Sequence, residues 1–271
     1  MTTQPRGASR YATRDGVRLH ALEYGGDGPP LVVVPGITSP AITWEWLAED
    51  LARDFRVLVL DVRGRGLSDQ PVSGFTLPEY AADVAAAIDE AGYERPAVMG
   101  HSMGARIAAA FGVLYPDRAG PLVLVDPPLT GPGRNVYPTS LQAFMDQLEK
   151  ARTGATVDEI REYFPTWSDE QLALRLEVLP TCDEIAVRET WQNFHDEDVF
   201  EYLRQLEPPV LFMAGGESPV IPADALPEVE QTNPRMEIVS VPGAGHMIPW
   251  DNLEVFLTET RRFLAEAEAA R

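Results

Sequence analysis

The sequence predicts an α/β domain, a mostly parallel sheet flanked by helices, with a helical cap inserted late in the chain. Three observations carry this expectation. Short aliphatic runs alternate with helical segments through the first half of the chain. The alternation stops after Val125 and resumes near Val210. Before the break, Gly100-His101-Ser102-Met103-Gly104 joins an apolar run to an Ala-rich helical stretch. A G-x-S-x-G at a strand-to-helix joint reads as a nucleophile elbow, because its glycines permit a turn tight enough to present the serine hydroxyl at the head of a helix.

Buried strands are expected at 31–34, 57–60, 97–99, 122–125, 210–213 and 238–241, each short and mostly β-branched or aliphatic. Helices are expected over 43–53, 77–91 and 103–115. The second has apolar Leu77, Tyr80, Val84 and Ile88 on one face and a capping box from Thr76 to Glu79. This alternation predicts helices on both faces of a parallel sheet. Residues 129–206 carry helical patterns instead, such as Leu141, Phe144, Met145 and Leu148, then a second capping box from Ser168 to Gln171. The reading is a cap over 129–206, inserted between the sixth and seventh strands of a core made of 1–128 and 207–271. A last helix is expected from near Asp251 through Phe256 and Phe263.

A net charge of −20 over 271 residues excludes a nucleic-acid backbone or an anionic membrane as the expected partner, since both would be repelled. A small anionic substrate remains compatible where a few arginines make a local positive pocket. Residues 1–10 are polar, and no stretch approaches the length of a membrane span, so a soluble cytoplasmic protein is expected. Cys182 is the single cysteine. It allows neither an internal disulfide nor a cysteine metal cluster, and packing is its expected role. The sequence leaves the oligomeric state open.

A serine hydroxyl needs a neighbouring base, and that base an orienting carboxylate. Of the four histidines, His20 lies in an early hairpin, His101 inside the elbow and His195 in the cap. His246 follows the last strand in Val241-Pro242-Gly243-Ala244-Gly245-His246, at the sheet end where open parallel sheets carry their sites. It is the expected base. Asp126, directly after the sixth strand, is favoured as the acid over Glu217, which lies after the seventh strand beside Ser218. It preserves the chain order Ser, Asp, His. An oxyanion hole needs two backbone N–H groups, expected from Met103 after the nucleophile and from Ile37 in the loop Pro35-Gly36-Ile37-Thr38-Ser39-Pro40. In Asp61-Val62-Arg63-Gly64-Arg65-Gly66-Leu67-Ser68 the arginines are expected to brace loops by ion pairing. Gly64-Arg65-Gly66 lacks the third glycine and the helix of a dinucleotide-binding loop.

These residues resemble the α/β-hydrolase superfamily across nearly the whole chain. More closely, V-P-G-I-T-S-P-A-I-T-W at 34–44, L-D-V-R-G-R-G-L-S at 60–68, G-H-S-M-G-A-R at 100–106, L-V-L-V-D-P-P at 122–128, T-W-S-D-E-Q-L-A-L-R at 166–175 and A-G-H-M-I-P-W-D at 244–251 resemble the N-formylmaleamate deformylase family of nicotinate catabolism. The likeness extends into the cap. It implies an α/β-hydrolase fold, a triad of Ser102, Asp126 and His246, and hydrolysis of N-formylmaleamate to maleamate and formate without metal or organic cofactor. A substrate carboxylate then requires a cationic partner. Arg106 on the elbow helix and Arg134 and Arg175 in the cap are the candidates, with Trp167 as a pocket wall. Another esterase, enol-lactonase or C–C hydrolase of the same fold, or a slow-turnover ligand sensor, remains an alternative.

Overall fold

The structure, a computed structural model, describes residues 3–207 and 209–270. A hairpin of β1 (Ala8–Arg14) and β2 (Val17–Tyr24) leads into β3 (Pro30–Val34), α1 (Glu45–Leu51), β4 (Arg56–Asp61), α2 (Leu77–Ala91), β5 (Ala97–His101), α3 (Met103–Leu114) and β6 (Leu122–Val125). After the insertion come β7 (Val210–Gly215), a short helix Leu226–Thr232, β8 (Glu237–Val241), a single turn Ile248–Asp251 and the terminal helix Leu253–Ala269. The eight strands form one sheet in the order β1-β2-β4-β3-β5-β6-β7-β8. Strands β1 and β2 run antiparallel, and β3 through β8 pair in parallel.

Each central strand sends alternate residues to opposite faces. Val32, Val34, Leu58, Leu60, Leu122 and Leu124 join α2 and α3 in one apolar cluster. Leu31, Val33, Val57, Val59, Val123 and Val125 join α1 and the terminal helix in another. Continuous aliphatic runs are what two covered faces require, which is why these strands read clearly in the sequence.

Between β6 and β7 stand α4 (Leu141–Arg152), α5 (Val157–Arg161), α6 (Asp169–Val178), α7 (Glu184–Asp196) and α8 (Val199–Leu203), with no strand among the described residues. Most of their apolar side chains, including Phe144, Leu148, Val187, Phe194 and Phe200, belong to the cluster that holds α2 and α3. Only Ile160, Trp167 and Leu172 make a cluster of their own. The inserted helices therefore share the interior of the sheet domain. Cys182 is a buried free thiol among them. No helix among the described residues is long and apolar enough to cross a membrane.

Three local expectations need correction. The helix expected over 43–53 is a 3₁₀ turn Ala41–Trp44 followed by α1, which ends at Leu51. The final helix is broken at Asn252, whose side chain accepts from the Val255 N–H at 3.3 Å and restarts it. Thr76 occupies the cap position of α2 but makes no side-chain cap bond. Glu79 is drawn away by Arg14 and Arg63, and the Leu77 N–H donates instead to Glu197 of the inserted helices, at 2.9 Å. The box at Ser168 and Gln171 forms as its local spacing requires.

Candidate active site

Ser102 sits between β5 and α3 with φ 55° and ψ −119°, a strained conformation for a residue with a side chain. Close packing around it explains the two glycines. A Cβ on Gly100 would lie 2.0 Å from the Gly104 carbonyl oxygen, and one on Gly104 would lie 1.8 Å from that of Val34. The Ser102 N–H donates to the Val125 carbonyl at 2.8 Å, fixing the turn against the end of β6.

Asp126 begins immediately after β6, also at positive φ, 47°, and its N–H donates to the Met213 carbonyl of β7 at 2.8 Å. Its carboxylate is fully buried and accepts three hydrogen bonds: from the Gly215 N–H at 2.9 Å, from Ser218 Oγ at 2.5 Å and from His246 Nδ1 at 2.7 Å. His246 Nε2 lies 3.0 Å from Ser102 Oγ. A carboxylate only accepts, so Nδ1 carries the ring hydrogen and Nε2 is the acceptor for the serine hydroxyl. Ser102, His246 and Asp126 thus form one directional chain. Glu217 is exposed and takes no part in it.

His101 is buried beneath this chain and donates from Nε2 to the His246 carbonyl oxygen at 2.9 Å, tying the loop after β8 to the elbow. Burial and the neighbouring His246 push its pKa down to about 3, so it stays neutral. Ile37 and Met103 flank Ser102, from the loop after β3 and from the first turn of α3. A helix's first N–H groups have no intrahelical partner, and the Ile37 N–H donates to no group among the described residues. The Ile37 carbonyl is held by Arg65 Nε at 3.0 Å. Arg63 braces its loop by ion pairing with Asp83. Arg65 departs from the expectation: it makes no ion pair among the described residues and instead bonds Tyr80 Oη at 2.8 Å and Thr190 Oγ1 of α7 at 3.0 Å. It links the loop after β3 to an inserted helix.

A cavity of about 210 Å³ opens over Ser102 and His246, bounded by Ile37, Thr38, Tyr137, Thr139, Phe144, Gln147, Phe164 and Arg175. It is smaller than the ~300–1,000 Å³ typical of sites for drug-sized ligands, which suits a small molecule. Among the described residues, no group of His, Cys, Asp and Glu is arranged to hold a metal ion.

Of the four expected substrate-binding residues, only Arg175 lines this cavity. It donates to the Thr38 carbonyl at 3.2 Å, Thr38 Oγ1 at 3.0 Å and Gln147 Oε1 at 3.1 Å, and lies over the Phe164 ring. Burial pushes its pKa down to about 10, which leaves it charged at neutral pH. It has no carboxylate partner among the described residues, while nearly every other arginine near the cap does or is enclosed by carbonyls. Arg106 is turned away, its guanidinium held by the carbonyls of Pro128, Thr130, Phe194 and Glu197. Arg134 pairs with Glu228 and Asp198 and lines a separate surface cavity. Trp167 stacks on Trp250 at 4.9 Å and backs Phe164, so it buttresses the wall without forming it. Sequence reasoning missed Tyr137, Thr38 and Gln147. Gln147 occupies the apolar-facing side of α4, and a buried glutamine on such a face is the one signal that could have been followed.

The family model for the alpha/beta hydrolase fold matches residues 29–253. The N-formylmaleamate deformylase of Pseudomonas putida is 43% identical over 258 residues, covering 95% of this chain and 96% of that one. The crystal structure of the N-formylmaleamic acid deformylase from Pseudomonas putida S16 superposes with a TM-score of 0.87 at 42% identity, covering 93% of this chain and 99% of that one. The 2-(acetamidomethylene)succinate hydrolase of Mesorhizobium japonicum is 27% identical over 250 residues, 88% of this chain and 89% of the relative.

Proposed function

This chain belongs to the α/β-hydrolase family, and from that premise we propose that it removes the formyl group of N-formylmaleamate, giving maleamate and formate, in the cytoplasm. The observation that carries the substrate class is Arg175, a buried cation with no carboxylate partner among the described residues, in the cavity that holds Ser102. Burying a charge without its counter-ion is costly, so such a site favours a ligand that brings the anion with it. The partner is a small anionic molecule rather than a nucleic acid or a membrane.

In this reading His246 Nε2 takes the Ser102 proton as Oγ bonds to the formyl carbon, while the N–H groups of Ile37 and Met103 receive the developing oxyanion. The imide substrate suits the chemistry. Its second carbonyl withdraws electrons from the nitrogen, which makes the formyl carbon more electrophilic and the nitrogen a better leaving group. His246 returns the proton to that nitrogen, then takes one from water, whose oxygen attacks the formyl-enzyme. Asp126 keeps Nδ1–H in place so that Nε2 faces each proton in turn.

The test is formate release from N-formylmaleamate beside a panel of uncharged esters, with Ser102→Ala as the control. The reading requires a higher kcat/KM for N-formylmaleamate than for every ester, and no turnover by the control. A preference for an uncharged ester would transfer the protein to another activity of the same family.

A further inference from the structure

Two stretches that the sequence sets apart, 166–175 in the inserted helices and 244–251 after β8, meet in the structure. Thr166 Oγ1 donates to Asp251 Oδ1 at 3.0 Å, and the Trp167 and Trp250 rings stack at 4.9 Å, 9° from parallel. Neither indole N–H has a hydrogen-bond partner among the described residues. The stack therefore supplies ring contact, and the Thr166 bond supplies a polar tie. Met247 and Trp250 also pack on the small apolar cluster of Ile160, Trp167 and Leu172. That part of the insertion, α5 and α6, thus rests on the turn that follows His246.

Asp251 also reaches back along its own turn. Its Oδ2 accepts from the Gly245 N–H at 3.0 Å, one residue before His246, and a bond to a carboxylate is stronger than one between neutral groups. A Cβ on Gly245 would lie 3.3 Å from that oxygen, a tight approach that glycine relieves. The loop has two further anchors. The Ala244 carbonyl accepts from the Glu217 N–H at 2.9 Å, and the His246 carbonyl accepts from His101 Nε2 at 2.9 Å. Residues 244, 245 and 246 are thereby fixed in succession from the loop after β7, from the turn and from the elbow. Through its second oxygen, the Asp251 anchor is continuous with the inserted helices.

We propose that Asp251 is a positioning residue for the reaction. One carboxylate oxygen sets the loop that carries His246, and the other is held by Thr166, so that Nε2 stays in line with Ser102 Oγ while α5 and α6 are seated. Asp251 acts through His246 and not on the reacting atoms. Proton transfer depends steeply on that alignment. With the Gly245 N–H released, the loop divides its time between positions, and turnover falls with the fraction that is in register. The grip of Arg175 is kept, because its own bonds run to Thr38 and Gln147. Thr166 holds the carboxylate rather than the loop, so its contribution is the smaller. The inference rests on Ser102 and His246 acting as nucleophile and base, but not on the identity of the acyl donor.

Asp251→Ala removes both bonds and Thr166→Val removes the bond to the insertion alone. Asp251→Asn can restore both, since its amide oxygen accepts from Gly245 and its amide nitrogen donates to Thr166 Oγ1. The first readout is the rate at which a fluorophosphonate labels Ser102, followed by mass spectrometry, because that step needs the base and no carboxylate grip. The second is kcat and KM on N-formylmaleamate, both per folded molecule as judged by thermal unfolding. Asp251→Ala should lower labelling and kcat by about tenfold or more, the size expected for one hydrogen bond to a carboxylate, with KM within about threefold. Thr166→Val should lower both rates about threefold and add nothing in the Asp251→Ala background. Asp251→Asn should recover most of the rate. Unchanged labelling per folded molecule in Asp251→Ala overturns the proposal and leaves Asp251 as a stability contact; so does an equal loss in Asp251→Asn, or a Thr166→Val loss that adds in full to that of Asp251→Ala. Should Asp251→Ala fail to fold, Thr166→Val decides, and labelling at the wild-type rate overturns the proposal. Wild-type protein that is not labelled at Ser102 overturns the triad reading and this proposal together. Wild-type protein that is labelled but does not turn over N-formylmaleamate removes the substrate assignment alone, and Asp251 is then judged on the labelling rates.

Discussion

Arg106 and Arg175 both cross the seam between the sheet domain and the inserted helices, in opposite directions. Arg106 rises from α3 and is held by backbone carbonyls at the ends of the insertion, from Pro128 to Glu197. Arg175 descends from α6 and reaches Thr38 in the loop beside the oxyanion position. Both are almost fully buried, and burial pushes both pKa values down to about 10. Charge and burial therefore do not distinguish them. What differs is where the remaining space lies. Carbonyls surround Arg106, whereas Arg175 shares its cavity with Ser102. A buried guanidinium enclosed by carbonyls acts as a strut, and one that borders a cavity can take a ligand.

The largest expected effect provides the reference for a defect in chemistry alone. Asp126→Asn should lower kcat by at least about a hundredfold, because the histidine loses the partner that fixes its tautomer, with KM little changed. Glu217→Gln, on an exposed side chain outside the hydrogen-bonded chain, should leave both constants unaltered. Steady-state kinetics on N-formylmaleamate reads both, and the reverse ranking would move the acid to the loop after β7.

Against that reference, Arg175→Gln should act on binding. The carboxylate contact exists in the ground state and in the transition state alike, so KM for N-formylmaleamate should rise about a hundredfold while kcat changes little. Uncharged esters should show no such penalty. If Arg175→Gln affects charged and uncharged substrates equally, the comparison with Arg106 breaks down, and Arg175 is a strut as well.

Arg106→Met should act on stability instead. It leaves the carbonyls of Pro128, Thr130, Phe194 and Glu197 without their common donor, at a cost of about 3 kcal/mol, or a Tm lower by roughly 6 to 9 °C. Thermal unfolding measures this, and kcat per folded molecule should stay close to the parent value. A wild-type Tm would mean that the seam is held by its apolar contacts and not by Arg106.

The sequence made the three cap and elbow arginines equal candidates because it displays residue types and local spacing, not distant partners. Ser102 could be read because its elbow is local: strand, glycines and helix lie within a few residues of one another. Asp126 could be placed at the sheet's active end because a strand signal directly precedes it. That Ser218 would donate to Asp126 could not be read, since the contact depends on β6 and β7 being neighbours in the sheet. The same limit accounts for α2. Thr76 and Glu79 have the spacing of a capping box, but Arg14 from the hairpin takes Glu79. Ser168 and Gln171, with no distant competitor, form theirs. Tyr137 was missed for a related reason, as its stretch has no periodicity and its place depends on the fold bringing it to the cavity that Ser102 also lines.

The smallest effect belongs to the third arginine. Arg134 pairs with Glu228, at 2.9 Å, and with Asp198, at 3.4 Å, and its guanidinium lies 3.7 Å from the Phe200 ring centroid. The Glu228 side chain is about half exposed, 52%, so water screens the pair, and exposed pairs of this kind contribute about 0.2–1 kcal/mol. Arg134→Gln should therefore lower Tm by no more than about 3 °C. Its KM for N-formylmaleamate should match the parent, because its charge is already matched by two carboxylates and its side chain borders a different cavity. Measured beside Arg175→Gln under the same conditions, it separates two explanations that either variant alone would leave confounded. Loss of any positive charge from a chain of net charge −20 deepens its long-range repulsion of an anion, and would raise KM in both variants and more at low ionic strength. Loss of a direct contact raises KM only for Arg175→Gln and persists in salt. A rise of equal size in both variants, abolished by salt, would mean that the repulsive overall field of the acidic chain sets the apparent affinity and that no single arginine holds the carboxylate.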